Sequence, residues 1–341
     1  MLAHAIMSTF ELSTRASDIG IDLGTANTTA VVDGTGILFS QPSVCCFKAY
    51  DAVPTFVAAG QEAHRYVGKV AKPLKIVRPL RNGVLSDMAA ARELLRCVYK
   101  TARPRKSLRR LRPLIGVPAD ATQAERRALA TAAVDAGFAE PELLPEPLLA
   151  AIGLGLDVEE PRGRMIVDCG AGTTDVAVIS LGGICVSQTA RGGGEALDQA
   201  LADYLHFNHR FLIGTATAET LKLDLAAALA GGASDEVLEA RGLDPTTGLP
   251  RIVQIAVAEL VPMWERHVDE IIRAIKGALQ ETPPELSQDI LEDGFYLTGG
   301  GALDAALAPR IEASTGVAAR VAPAPLRSVS IGLERRLKKP N

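Results

Sequence analysis

Residues 19–32 read IGIDLGTANTTAVV, and residues 165–179 read MIVDCGAGTTDVAVI. In the first stretch, apolar residues alternate with smaller or polar ones as far as Leu23, a turn begins with glycine, and β-prone residues resume at Thr28. This order predicts a strand, a tight turn and a second strand. The second stretch has the same order, so the sequence predicts two similar hairpins.

Aligning the two stretches brings identical residues together at three places. These are Asp22 with Asp168, Gly24 with Gly170, and Thr28 with Thr174. Either turn alone is also explained as an ordinary β-turn, but two copies with the same spacing indicate an internal repeat. We therefore predict two related domains that each open with such a hairpin.

Turns rich in glycine and threonine bind phosphate well, because backbone N–H groups approach the anion closely and hydroxyl groups add donors. An aspartate at the end of each entering strand would repel phosphate unless a cation lay between them, and Mg²⁺ prefers oxygen ligands. We therefore expect Asp22 and Asp168 to bind Mg²⁺, partly through water. The predicted phosphate contacts are Gly24, Thr25, Ala26, Asn27, Gly170, Ala171, Gly172 and Thr173.

The sequence lacks the motifs of two other classes of nucleotide-binding site. The chain contains no G-x-x-x-x-G-K-[ST] sequence, which excludes a Walker-type P-loop. It also contains no G-x-G-x-x-G after a predicted strand, so a Rossmann dinucleotide site is unsupported.

The composition favours the α/β class with two domains. The chain has 341 residues, of which 48% are hydrophobic and only 4% aromatic, so the core must be built from Ala, Val, Ile and Leu. We predict one domain over residues 1–155, with a small insert at about 41–77. The other domain covers residues 156–341, with an insert at about 191–257.

Local patterns place several helices within these domains. Thr122 and Glu125 have the spacing of a capping box at the start of a helix that runs to about Ala136. A long helix is predicted over about Val253–Leu279, with a kink or break at Pro262.

At these residues the chain resembles the superfamily of actin, sugar kinases and heat-shock chaperone ATPases, and within it the MreB family of bacterial actin-like proteins. The resembling segments follow the family's order and spacing over about residues 19–325: IGIDLGTANT (19–28), ATQAERRA (121–128), PEPLLAAIG (145–153), DCGAGTTDVAVISLGG (168–183), LIGTATAETLK (212–222), PPELSQDI (283–290) and LTGGGAL (297–303). The resemblance implies an actin-like ATPase fold, in which two duplicated ribonuclease H-like domains flank a nucleotide cleft and each carries a smaller inserted subdomain.

The resemblance also implies roles for single residues, with ATP and Mg²⁺ as ligands. Glu146 matches the glutamate that polarises the attacking water, beside Asp22 and Asp168, although a glutamate in a first helical turn is also favoured by the helix dipole. Glu219 and Lys222 match nucleoside contacts, although their spacing also fits a surface ion pair. The glycines that match turns beside the ribose, the phosphates and the adenine are Gly193, Gly194, Gly299, Gly300 and Gly301.

Several positions depart from the family pattern. Ala171 stands where the family usually has glycine, Asp175 replaces a usual glutamate, Glu195 replaces a usual aspartate, and Pro145 replaces an acidic residue. None of these changes removes a proposed catalytic group, and together they indicate a divergent member.

Two segments have features of membrane contact. Residues 1–12 (MLAHAIMSTFEL) carry apolar residues every four positions and fit either a short amphipathic helix or a disordered tail. Residues 100–112 (KTARPRKSLRRLR) are rich in Lys and Arg and lie near the family's membrane-facing loop, which favours anionic lipid. A solvated loop is the alternative, and nucleic acid is disfavoured because no aromatic residues interleave.

The resemblance implies an ATP-hydrolysing protein that polymerises into membrane-associated filaments and organises cell-wall synthesis to maintain rod shape. Its implied partners are other copies of itself, anionic lipid of the inner membrane, and membrane-bound elongation-complex proteins such as MreC, MreD and RodZ. The net charge of −4 gives no reason to expect nucleic acid. Five cysteines without a C-x-x-C motif fit a reducing cytosol, so we expect a cytoplasmic protein that is peripheral at the inner membrane.

Three other functions remain compatible with the superfamily. A small-molecule kinase would need an acceptor site, for which no motif is evident. A chaperone would need a substrate domain after the ATPase. A related filament that positions plasmids or organelles differs from a cell-shape filament chiefly in its cellular location.

Overall fold

The computed structural model describes residues 17–49, 54–103, 109–232 and 235–338. Strands and helices are mixed along both halves of the chain, as expected for the α/β class. The first half contains β1 (Ile19–Leu23), β2 (Asn27–Val32), β3 (Gly36–Pro42), β4 (Cys45–Lys48), β5 (Thr55–Ala59), α1 (Gly60–His64), β6 (Leu74–Val77), β7 (Leu80–Arg81), β8 (Val84–Leu85), α2 (Met88–Ala102), β9 (Pro113–Val117), α3 (Gln123–Ala136), β10 (Glu142–Pro145) and α4 (Glu146–Leu154).

The second half has a similar series of elements. It contains β11 (Arg164–Cys169), β12 (Thr173–Ser180), β13 (Gly183–Arg191), α5 (Gly193–His209), α6 (Thr215–Ala230), β14 (Val237–Leu243), β15 (Pro250–Ala256), α7 (Val257–Glu281), α8 (Pro284–Asp293), β16 (Phe295–Thr298), a 3-10 turn (Gly300–Leu303), α9 (Leu307–Thr315), β17 (Ala319–Val321), a second 3-10 turn (Pro325–Arg327) and α10 (Ser328–Lys338).

Two five-stranded sheets repeat one topology. Their strand orders are β10-β9-β1-β2-β3 and β13-β12-β11-β16-β17. In each sheet the first strand of the hairpin is central. On one side of it, two consecutive strand pairings are antiparallel, and on the other side two consecutive pairings are parallel. The internal repeat predicted from the sequence is therefore a repeat of structure.

The two hairpins also agree in register. Leu23 lies opposite Thr28 in the first, and Cys169 lies opposite Thr174 in the second. Both turns are closed by the same backbone hydrogen bond, from the N–H of Gly24 to Asn27 at 3.0 Å and from that of Gly170 to Thr173 at 2.8 Å. Both predicted hairpins are thus confirmed.

Smaller sheets lie within the segments that the sequence marks as inserts. Strands β4, β5 and β6 form a three-stranded sheet between residues 45 and 77, and β14 pairs with β15 between residues 237 and 256. Among the described residues, no helix is both long and apolar enough to cross a bilayer.

The sequence predicted α3 correctly, but it placed the start of α7 wrongly. The Thr122–Glu125 capping box is confirmed, and α3 ends at Ala136. The long helix α7 begins at Val257 rather than Val253, because the residues before it alternate between buried and exposed and pair with β14. The helix then continues through Pro262 without a break.

The two halves share a core in which two helices cross at glycines. Helix α10 lies in the second half of the sequence but packs against α4 and the first sheet. A Cβ on Gly332 would collide with the carbonyl oxygen of Leu149, and one on Gly153 with that of Ser328. Glycine therefore allows the backbones of α4 and α10 to touch, which joins the end of the second half to the first half.

Candidate functional site

The two hairpin turns face each other across a cleft with a cavity volume of about 610 Å³. Nearly all the site residues predicted from the sequence line this cleft: Asp22, Gly24, Thr25, Ala26, Asn27, Glu146, Asp168, Gly170, Ala171, Gly172, Thr173, Gly194, Glu219, Lys222, Gly299, Gly300 and Gly301. Gly193 is not in the lining. It has a φ of +41° and packs against the backbone of Ala171, so it supports the second turn from behind.

The turns approach each other closely at Gly172. A Cβ there would collide with the hydroxyl of Thr25 and would lie 2.8 Å from the backbone nitrogen of Gly83. Only glycine fits this contact, which brings donors from both halves of the chain to one place.

A third turn, which was not predicted from the sequence, also lines this part of the cleft. Asn82 and Gly83 connect β7 to β8 and have φ values of +49° and +72°. A Cβ on Gly83 would lie 2.6 Å from the side chain of Thr173. The signal was available in the stretch LRNGVL (80–85), because Asn-Gly is typical of a two-residue hairpin turn.

Three carboxyl groups crowd the centre of the cleft. Burial and the nearby charge of Asp168 raise the pKa of Asp22 from 3.8 to about 7. Burial and the charge of Asp175 raise the pKa of Asp168 from 3.8 to about 6. Burial, together with the charges of Asp22, Asp168 and Asp175, raises the pKa of Glu146 well above its usual value. The cleft therefore resists full ionisation until a cation enters it.

This crowding fits the predicted magnesium site. The described residues contain no group of three or more His, Cys, Asp or Glu side chains placed to hold a metal ion. Mg²⁺ usually takes one or two carboxylates and completes its shell with phosphate oxygens and water. Asp22 and Asp168 supply the carboxylates that such a site needs, and the opposed turns leave room for phosphate.

Glu146 is positioned by a strand that leads directly into a helix. It is the first residue of α4, follows β10 without a loop, and precedes Pro147 in the first turn. Its Cγ would lie 3.1 Å from a Cβ on Gly116 of β9, so the glycine leaves space for the glutamate. The side chain is thereby held beside the two aspartates.

On the α6 side of the cleft, Lys222 binds a partner that the sequence did not indicate. Its Nζ lies 3.0 Å from the carboxylate of Asp198 in α5 and 3.5 Å from the carbonyl oxygen of Gly194. Lys222 thus pairs with α5 rather than with Glu219, which is exposed. Asp198 belongs to no recognisable motif, and only the fold brings it to Lys222.

The glycine turn after β16 fits against the second hairpin. Gly299 has a φ of +78°, and a Cβ there would lie 2.6 Å from Oδ1 of Asp168. A Cβ on Gly301 would lie 2.8 Å from that of Cys169. These glycines let the turn approach the end of β11, where it forms one wall of the cleft.

The segments predicted to meet the membrane are only partly visible. Residues 1–12 and 104–108 lie outside the described residues. Of the basic residues that follow, Arg109 pairs with Asp18 at 2.9 Å, Arg110 donates to the carbonyl oxygen of Gly137 at 2.9 Å, and buried Arg112 pairs with Glu140 at 3.2 Å. These three arginines therefore bind partners within the fold.

Comparison with known proteins identifies the family. The family model for MreB/Mbl protein matches residues 16–341. The cell shape-determining protein MreB of Escherichia coli strain K12 is 40% identical over 322 residues, covering 93% of this chain and 92% of the relative.

Solved structures show the same fold. The ADP-bound crystal structure of MreB5 from Spiroplasma citri has a TM-score of 0.84 and 31% identity, covering 92% of this chain and 94% of the other. The MamK double helical filament has a TM-score of 0.75 and 25% identity, covering 94% and 98%. The actin-like fold predicted from the sequence is confirmed, and the chain belongs to the MreB/Mbl family.

Proposed function

We propose that this protein binds ATP with Mg²⁺ in the cleft, hydrolyses it, and polymerises into filaments that organise cell-wall synthesis in rod-shaped cells. The observation that carries the proposal is the meeting of two matched hairpin turns and three carboxyl groups in one cleft. The crystal structure of MreB5 from Spiroplasma citri contains bound ADP, which supports an adenine nucleotide as the ligand.

The chain's own residues suit hydrolysis of a phosphoanhydride. Backbone N–H groups of the turns beginning at Gly24 and Gly170 would hold the phosphates from both sides. Mg²⁺ held by Asp22 and Asp168 would neutralise charge on the phosphates. Glu146 would orient the attacking water and, in its ionised form, accept its proton.

Filament formation and membrane contact form the second part of the proposal. The fold shared with the MamK double helical filament supports self-assembly. The basic residues ahead of Arg109 would attract anionic lipid, at about 1 kcal/mol for each charge near the surface. The proposed location is the cytoplasmic face of the inner membrane, with MreC, MreD and RodZ as partners.

Sedimentation tests assembly directly. The protein is centrifuged with ATP·Mg²⁺ over a wide concentration range, with and without liposomes containing anionic lipid. The proposal predicts a critical concentration above which the protein pellets with ATP, and a lower one with the liposomes. Protein that stays in solution under every condition would contradict the filament proposal, and the small-molecule kinase would then be tested by ADP formation with sugars.

A further inference from the structure

The cleft extends beyond the carboxyl groups into a chamber between α6, α7 and the 3-10 turn at Gly300–Leu303. Its walls are largely apolar and include Leu197, Leu223, Ala226, Trp264, Val268 and Leu303. Small alanines on α6 and the glycine turn leave space for a flat ring. Such walls suit the base of a nucleotide rather than its phosphates.

Two of the polar side chains facing this chamber, Lys222 and Asp304, already bind other groups of the protein. Lys222 is bound to Asp198 and Gly194, as described above. The carboxylate of Asp304 accepts hydrogen bonds from Nε1 of Trp264 at 2.6 Å and from the backbone of Ala306 at 2.9 Å. The Trp264–Asp304 bond joins α7 to the end of the 3-10 turn at Gly300–Leu303.

His267 differs from these residues. It lies on α7, lines the cleft, and is half-buried. Among the described residues it makes no hydrogen bond, although Lys222, Asp304 and Glu270 are near enough to affect its charge. A half-buried imidazole without a partner is a polar group available to a ligand.

The surroundings of His267 favour the neutral form of its imidazole at pH 7. Burial lowers its pKa, and Lys222 lowers it further, against the opposite effect of Glu270 and Asp304. A neutral imidazole carries one donor nitrogen and one acceptor nitrogen. Either ring nitrogen can carry the proton, so the neutral ring can offer an acceptor nitrogen to a ligand in the chamber.

We propose that His267 accepts a hydrogen bond from the 6-amino group of a bound purine and so determines the preference for adenine nucleotides. The inference rests on the proposed function, because it concerns the base of the nucleotide whose phosphates the hairpin turns hold. His267 acts as a specificity-determining residue and takes no part in hydrolysis.

The test is a thermodynamic cycle that removes the His267 side chain and the 6-amino group of the ligand, separately and together. Dissociation constants are measured for ATP and for purine riboside triphosphate, which lacks the 6-amino group, with wild type and His267→Leu. We expect wild type to bind ATP about 3- to 10-fold more tightly than the analogue, the size of one neutral hydrogen bond. In His267→Leu the two ligands should bind within about 2-fold of each other.

Two further variants make the result decisive. His206→Leu makes the same change at an exposed histidine of α5 outside the cleft, and it should keep the wild-type ratio. His267→Gln retains an acceptor and should keep part of the preference, which guards against a folding defect in the leucine variant. An unchanged ratio in both His267 variants, or a wild type that binds both ligands equally, would overturn the inference. A wild type that binds neither ligand would instead overturn the proposed function.

Discussion

Nη2 of Arg191 lies 2.6 Å from Oδ2 of Asp120 and joins the two halves of the molecule at the edge of the cleft. Arg191 ends β13 of the second sheet, whereas Asp120 follows β9 of the first. Both side chains line the cleft and both remain partly exposed. Arg78 and Glu195 make a second and longer contact between the halves, at 3.8 Å.

The first prediction is that the Arg191–Asp120 pair slows the release of nucleotide. A partly exposed ion pair contributes about 0–1 kcal/mol, so Asp120→Ala should speed release by up to about 5-fold. Release of a fluorescent ATP analogue measures this rate. Exchanging the charges, with Asp120→Arg and Arg191→Asp together, should restore slow release. Equal rates for wild type and Asp120→Ala would show that the pair has no such role.

The second prediction concerns pH. Because the pKa of Asp22 rises from 3.8 to about 7, the folded state keeps a proton that the unfolded chain loses above about pH 4. This contribution to stability is fully present below pH 4 and is lost as the pH rises through 7. Asp22→Asn removes the titrating group, so its stability should fall less over the same range.

Urea unfolding of the nucleotide-free proteins at pH 5 and pH 8 measures this effect. The fall in the free energy of unfolding should be about 1–3 kcal/mol smaller for Asp22→Asn than for wild type. Comparing the two proteins removes the effect of the titrating groups that lie far from Asp22. Equal falls would mean that Asp22 is ionised at neutral pH in the empty cleft.

The third prediction concerns the crossing of α4 and α10. In an ordinary helix Gly→Ala stabilises by roughly 0.5–1 kcal/mol. At Gly332 the added methyl group would collide with the carbonyl oxygen of Leu149, so Gly332→Ala should destabilise the fold by about 1–3 kcal/mol. Chemical denaturation measures the change.

The matched control for this crossing is Gly183→Ala in β13. A Cβ at Gly183 would have no atom nearer than 3.9 Å, and the change should alter stability by less than about 0.5 kcal/mol. A Gly332→Ala protein as stable as wild type would mean that the two helices can separate without cost.

The parts of the site that were predictable from the sequence lie within short segments. Each hairpin carries its alternation and its Asp, Gly and Thr residues within one stretch, so Asp22 and Asp168 could be found without coordinates. Glu146 could be assigned only through the resemblance, because its place beside the aspartates depends on the packing of β9, β10 and α4.

The parts that were missed depend on contacts between distant segments. The bond between Trp264 and Asp304 joins residues 40 positions apart, and neither residue belongs to a motif. The start of α7 was placed four residues too early because apolar residues of β15 run directly into the helix. Pairing with β14, which is a tertiary contact, decides that boundary.

The most direct test of the account is phosphate release by Glu146→Gln. Wild type and variant are compared at ATP·Mg²⁺ concentrations that give equal amounts of bound nucleotide, with binding measured separately. The variant keeps the shape of the side chain but cannot accept a proton, so we expect ATP binding within about 3-fold of wild type and turnover reduced by about 100-fold or more. Turnover equal to that of wild type would contradict the assignment of this cleft as the site where Glu146 directs hydrolysis.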